Sequence, residues 1–167
     1  MFVTICSLKV SAQATDTVLT SPKKELTTFI KAVNTAGLKN IFNDESVTIF
    51  APDNVAFDKL PAGNLDSLFK PENHAALVSL LKSHIIPGKL MVKDIATLIH
   101  QNNGQTTFTA LEGNKLIAKI NANRNIVLVD EAGKENVVKV FNITQGNAVL
   151  YIISSVIAVK NELPPVK

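Results

Sequence analysis

The stretch Val47-Thr48-Ile49-Phe50-Ala51-Pro52-Asp53-Asn54-Val55-Ala56-Phe57 decides how the rest of the chain is read. Val47 to Ala51 is an apolar, β-prone run, the composition of a strand with little exposure. Pro52 ends it, because proline has no N–H to give to a ladder. Asp53 and Asn54 then stand where a side-chain oxygen can accept from an unpaired helix N–H, which stabilises a helix by about 1 kcal/mol. A brief helix through Phe57 to Leu60 follows, closed by Pro61.

Towards the N-terminus, Leu26, Phe29, Ile30 and Val33 recur at i, i+3, i+4 and i+7, one apolar helix face. Ser21-Pro22 opens that helix with a capping residue and a proline at the first helical position. Gly37 stops it, and Leu38, Ile41 and Phe42 form a short second helical piece. Beyond the central stretch, Leu65 to Phe69 is a short helix, and Pro71 starts another carrying Leu77, Leu80, Leu81 and His84 on one side. Ile85-Ile86 is extended, because a residue before proline avoids the helical region, and Pro87-Gly88 turns the chain. Val92, Ile95, Ala96 and Ile99 restore helical spacing, which ends at Asn102-Asn103-Gly104.

From Thr106 the period drops to two. Phe108 and Ala110, then Leu116, Ala118 and Ile120, alternate with polar neighbours around the turn Glu112-Gly113-Asn114. Ile126 to Val129, Val137 to Ile143 and Ala148 to Val159 are further strands. The last is apolar on both parities and belongs in the middle of a sheet, buried on both faces. Helices segregated before strands predict an α+β fold in one domain.

Composition limits the function. The chain has 167 residues, 46% hydrophobic and 19% charged, enough for a core without staples. The net charge of +3 is spread among acids, which is no footprint of a nucleic-acid binder. The single cysteine, Cys6, leaves no internal disulfide and no cysteine-based metal site. Residues 1–14 run from an apolar stretch into Ala12-Gln13-Ala14, the small-x-small form of a signal-peptidase site. They read as the tail of an export signal, with an ordinary frayed terminus as the alternative. No later segment approaches the ~20 apolar residues that span a bilayer.

Three segments in this order and spacing resemble the fasciclin domain family. The first is Ala36-Gly37-Leu38 with the Val47–Phe57 stretch, a strand, Phe-Ala-Pro, a polar pair and an Ala-Phe helix. The second is Leu80-Leu81-Lys82-Ser83-His84-Ile85-Ile86-Pro87-Gly88, similar to the family's Leu-Leu-x-Tyr-His-Val-Val-Pro-Gly. The third, Asn147 to Ile157, looks like the family's closing strand. The resemblance covers residues 16–160, leaving 161–167 as a C-terminal tail. It implies a wedge-shaped β-sandwich with several helices packed on one side, and a role in adhesion without catalysis. Ser83 stands where the family has Tyr, and Ala148, Tyr151 and Ser154 where it has Gly, His and Asp.

The candidate partner-binding residues are Asp53, Asn54, His84, Pro87 and Gly88, on a surface that includes the Pro52–Phe57 and Ile86–Leu90 turns. Asp53 and Asn54 are also ordinary capping residues. His84, in apolar company, reads either as a hydrogen-bonded core residue or as a pH-responsive contact. Because the family brings their segments together, His84 is the candidate hydrogen-bond partner of Tyr151, the only tyrosine. His74 and His100 lie on separate helices, and no His, Cys or carboxylate spacing suits a metal. Asn121-Ala122-Asn123-Arg124-Asn125 lacks the carboxylates calcium needs and reads as a turn. Asn142-Ile143-Thr144 is a glycosylation sequon set inside a strand. G-x-S-x-G, Walker and dinucleotide motifs are absent.

The expectation is an exported, monomeric binding module, without cofactor, that recognises a protein or polysaccharide of a cell surface, matrix or envelope. The alternative is an exported hydrolase or small-ligand enzyme with His84 as base. A His84 buried and hydrogen-bonded favours the module; a deep pocket exposing it beside a Ser or Asp favours the enzyme.

Overall fold

Strand β1 (Val47–Pro52) is buried at every position, and so is β7 (Ala148–Ile153). A strand with no polar face must be covered on both sides, and here two cores do it. In the computed structural model, which describes residues 24–61 and 63–157, the two strands pair in parallel, Val47 opposite Ala148 and Pro52 opposite Ile153. The other pairings are antiparallel, with β2 (Ile85–Pro87), β3 (Gln105–Thr109), β4 (Lys115–Ile120), β5 (Ile126–Val129) and β6 (Glu135–Gln145). The order is β2-β1-β7-β6-β5-β4-β3. Just beyond β3, the Leu111 N–H donates to the Ile85 carbonyl of β2 at 2.8 Å, so the sheet nearly closes on itself.

Alternate residues of the central strands point into different cores. Val47, Ile49, Ala51, Ala148, Leu150 and Ile152 meet the helical layer. That layer comprises α1 (Thr27–Thr35), α2 (Ile41–Asp44), α3 (Asn54–Asp58), α4 (Asn64–Leu68) and, after a 3-10 turn at Pro71–Asn73, α5 (His74–Lys82). The opposite parity, Phe50, Val149, Tyr151 and Ile153, meets Leu116, Ala118, Leu128 and Val138 from the far half of the sheet. This is the sandwich. Helix α6 (Val92–Gln101) contributes Ile95 and Ile99 to that second core, apart from the helical layer.

The predicted helix faces hold: Leu26, Phe29 and Val33 of the first helical segment are buried, as are Leu77, Leu80 and Leu81 of α5. The last strand is shorter than the expected Ala148–Val159. It ends at Ile153, where the Ser154 N–H donates to Val137 and its hydroxyl accepts from the Val137 N–H at 3.0 Å. Those bonds bend the chain out of the ladder, and Val156 and Ile157 then insert into the two cores. The Ser21-Pro22 helix start, the residues 1–14 read as an export signal and the 161–167 tail lie outside the described residues. Among the described residues no helix is long and apolar enough to cross a membrane.

Candidate functional site

The two signature turns do not share a surface. Pro87 pairs with Val47 at the start of β1, whereas Asp53 follows the end of that strand. Six residues at ~3.3 Å each put them about 20 Å apart. The single surface expected from the sequence is therefore two separate ends of one strand.

At the far end, Asp53 is 4% exposed and spent on the fold. Its Oδ1 accepts from the Ala56 N–H at 2.7 Å, the capping bond foreseen. Its Oδ2 meets Lys139 Nζ at 2.5 Å, a partner from β6 that local pattern could not supply. Asn54 does not cap α3. Its Oδ1 accepts from the Thr27 hydroxyl and the Thr28 N–H, both at 3.1 Å, and its Nδ2 donates to the Lys24 carbonyl at 2.9 Å. It clamps the start of the first helix onto the signature turn.

His84 is 1% exposed and both ring nitrogens are engaged. The Ile157 N–H donates to Nε2 at 3.0 Å, so Nε2 is the acceptor and the proton sits on Nδ1. Nδ1–H donates to the Leu80 carbonyl at 2.7 Å, with the Ser83 hydroxyl 3.1 Å away. Desolvation lowers the imidazole pKa from 6.5 to about 4, against the opposing pull of the Leu80 carbonyl and Asp130. The ring is a neutral clasp between α5 and the last described residues, closed to a substrate.

The expected His84–Tyr151 hydrogen bond does not form. Tyr151 points its hydroxyl to the Leu90 carbonyl at 2.8 Å and to Asn142 Oδ1 at 3.1 Å. His84 faces the helical end of β2 and is saturated there. Burial, followed by the negative charge of Asp94, raises the phenol pKa.

The near turn is held from beneath by that phenol and by Thr48, a fully buried hydroxyl in the apolar β1 run. Thr48 donates to the Gly88 carbonyl at 2.7 Å and accepts from the Leu90 N–H at 3.0 Å. The Gly88 N–H donates to Ser46 at 2.8 Å. Gly88 takes φ +94°, a conformation that glycine adopts without steric cost. Asn142 Oδ1 also accepts from the Val92 N–H at 2.9 Å, capping α6. Pro87 and Lys89 lie on the exposed side of this turn. Thr48 and Asn142 escaped sequence reasoning: Thr48 is the one polar residue of the Val47–Ala51 run, a signal that was available, whereas Asn142 shares its run with Lys139.

Among the described residues no group of His, Cys, Asp and Glu could hold a metal. A separate apolar pocket of about 300 Å³ opens between α1, α2 and the β6–β7 hairpin.

Comparison with known proteins agrees with this architecture. The fasciclin domain family model matches residues 24–159. Protein sll1483 of Synechocystis sp. is 32% identical over 165 residues, covering 95% of this chain and 81% of that protein. Immunogenic protein MPB70 of Mycobacterium bovis is 28% identical over 145 residues, 84% of this chain and 66% of that protein. The solved FAS1 domain pair of the insect cell adhesion molecule fasciclin I superposes with a TM-score of 0.63 at 20% identity. That match covers 84% of this chain and 47% of the domain pair, and is a likeness of fold. With the family model spanning all the described residues, the chain belongs to the fasciclin domain family.

Proposed function

We propose that this protein is an exported, non-enzymatic binding module whose contact surface is the Ile86–Leu90 turn. Its partner is a protein or polysaccharide of a cell surface, matrix or envelope. The observation that carries the reading is the pinning of that turn by buried hydroxyls, Thr48 on Gly88 and Leu90 and Tyr151 on Leu90. A loop ordered before binding loses little conformational entropy on binding. Pro87 and Lys89 are then displayed on a rigid base, while Gly88 supplies the bend. Of the residues singled out in the sequence, Pro87 and Gly88 belong to this surface, whereas Asp53 and Asn54 brace the opposite end of β1 and His84 clasps α5 to Ile157. Burial and saturation of His84 favour the module over a hydrolase with that base. The cell adhesion molecule whose domain pair shares the fold is consistent with this role.

The test is retention of envelope or matrix components on the immobilised chain. Wild type is run beside Lys89→Glu, Pro87→Ala and the remote surface variant Lys134→Glu, each checked for native circular dichroism. A component held by wild type and Lys134→Glu but lost by Lys89→Glu supports the turn as the contact surface. Equal retention by all four, or by none, overturns it.

A further inference from the structure

The geometry points to a binding site for a small amphipathic carboxylate, an apolar chain with one anionic head, in the pocket between α1, α2 and the β6–β7 hairpin. Its floor is apolar: Phe29, Val33, Phe42, Ile143 and Leu150 line it. Its remaining lining is Lys39 with three neutral amides, Asn34, Asn43 and Gln145, and two further apolar side chains. Among the described residues no carboxylate lines it, and Lys39 is the one charge there. One cation beside neutral hydrogen-bonding groups matches a singly charged head, since charge-assisted hydrogen bonds to an anion are the strong ones. The volume, about 300 Å³, is at the lower end for ligand pockets. An apolar cavity of about 150 Å³ accepts benzene, so twice that takes a chain of roughly ten carbons.

The walls are fixed in advance. The Asn147 N–H donates to the Phe42 carbonyl at 2.9 Å, and Asn147 Nδ2 donates to the Asn43 carbonyl at 2.6 Å. Gly146 approaches α2 so closely that a Cβ there would stand 2.5 Å from the Phe42 oxygen. These contacts tie α2 to the hairpin and hold the pocket open beside α1. A preformed pocket binds without the cost of ordering its walls. The site is distinct from the Ile86–Leu90 turn, so its test and that of the contact surface fail independently.

The experiment is titration of the full chain with decanoate and, in parallel, with uncharged decanol, by calorimetry and by methyl NMR. One decanoate per chain is expected, with shifts confined to Val33, Ile143, Leu150 and their neighbours. Lys39→Met, an exposed change, weakens decanoate about fivefold or more, as loss of a charge-assisted hydrogen bond does, and leaves decanol nearly unchanged. Ile30→Trp, which fills the pocket from a half-buried position, abolishes both. Absence of saturable decanoate binding overturns the proposal. Equal decanoate affinity in Lys39→Met overturns it too, as do shifts at other sites.

Discussion

His84 and Tyr151 divide between them work that the resemblance assigned to a pair. The neutral His84 ring accepts from Ile157 and donates to Leu80, and a second proton would set Nε2–H against the Ile157 N–H. Its folded pKa of about 4 lies below the unfolded 6.5. Between those values the unfolded chain binds a proton the folded chain refuses, so stability falls as pH drops from about 6.5 to about 4. Over that window the loss from this one group is roughly 3 kcal/mol, at 1.36 kcal/mol per unit. Urea midpoints at several pH values give the slope, and NMR of the ring must show a neutral Nδ1–H imidazole at pH 5.5. A charged ring at that pH refutes the assignment. Tyr151→Phe keeps the tilted ring contact with Phe50, 5.3 Å between centroids, and removes only the hydroxyl. The Leu90 carbonyl loses its donor from Tyr151, and we expect a cost of about 1–2 kcal/mol in urea unfolding. A variant as stable as wild type would show that the phenol does not brace the Ile86–Leu90 turn.

At the level of elements, the helix faces and the Asp53 cap were legible because they depend on neighbours within a turn or two. Leu26, Phe29 and Val33 announce their burial by spacing alone. The Asp53–Lys139 pair spans 86 residues and follows only from the fold. The same limit hid the separation of the two signature turns, which depends on β2 pairing with the start of β1. It also hid the partners of Tyr151. Asn142 sits at φ +57° where β6 shifts register between Val140 and Ile143, and this bulge aims its amide at Tyr151 and Val92. No periodicity marks a bulge in advance. Gly146 falls between the expected strand runs Val137 to Ile143 and Ala148 to Val159, and nothing in the sequence marks it as the point where the hairpin meets α2. Gly146→Ala places a methyl against the Phe42 carbonyl, in a backbone conformation, φ +57°, that disfavours any side chain. We expect a loss of at least about 1–2 kcal/mol from the backbone conformation alone, read as a lower urea midpoint. A neutral result would mean that α2 can move away from the hairpin at no cost.

Across the whole molecule, β1 and β7 form a shared wall between two cores, and this predicts how the fold opens. Exposing a β7 amide requires separating β7 from β1 or β6, which disturbs the helical layer and the sandwich interior together. This one strand inserts side chains into both cores, Leu150 and Ile152 on one face and Val149, Tyr151 and Ile153 on the other. Such amides exchange only when the whole domain unfolds. Strand β3 is placed differently. It ends the order, pairs along its length with β4 alone, and leaves three of its five residues exposed. Its closure onto β2 depends on the Leu111–Ile85 bond, a single backbone contact at 2.8 Å. Local fraying of β3 therefore costs one antiparallel pairing and the burial of one large side chain, Phe108, and leaves the rest of both cores in place. Native-state hydrogen exchange must rank the hydrogen-bonded amides of β7 and β1 slowest, at the global unfolding free energy, and those of β3 well below it. Equal protection of β3 and β7 would mean that the Leu111–Ile85 bond joins the sheet into one cooperative unit. Early exchange from β7 would contradict its place as the wall both cores share.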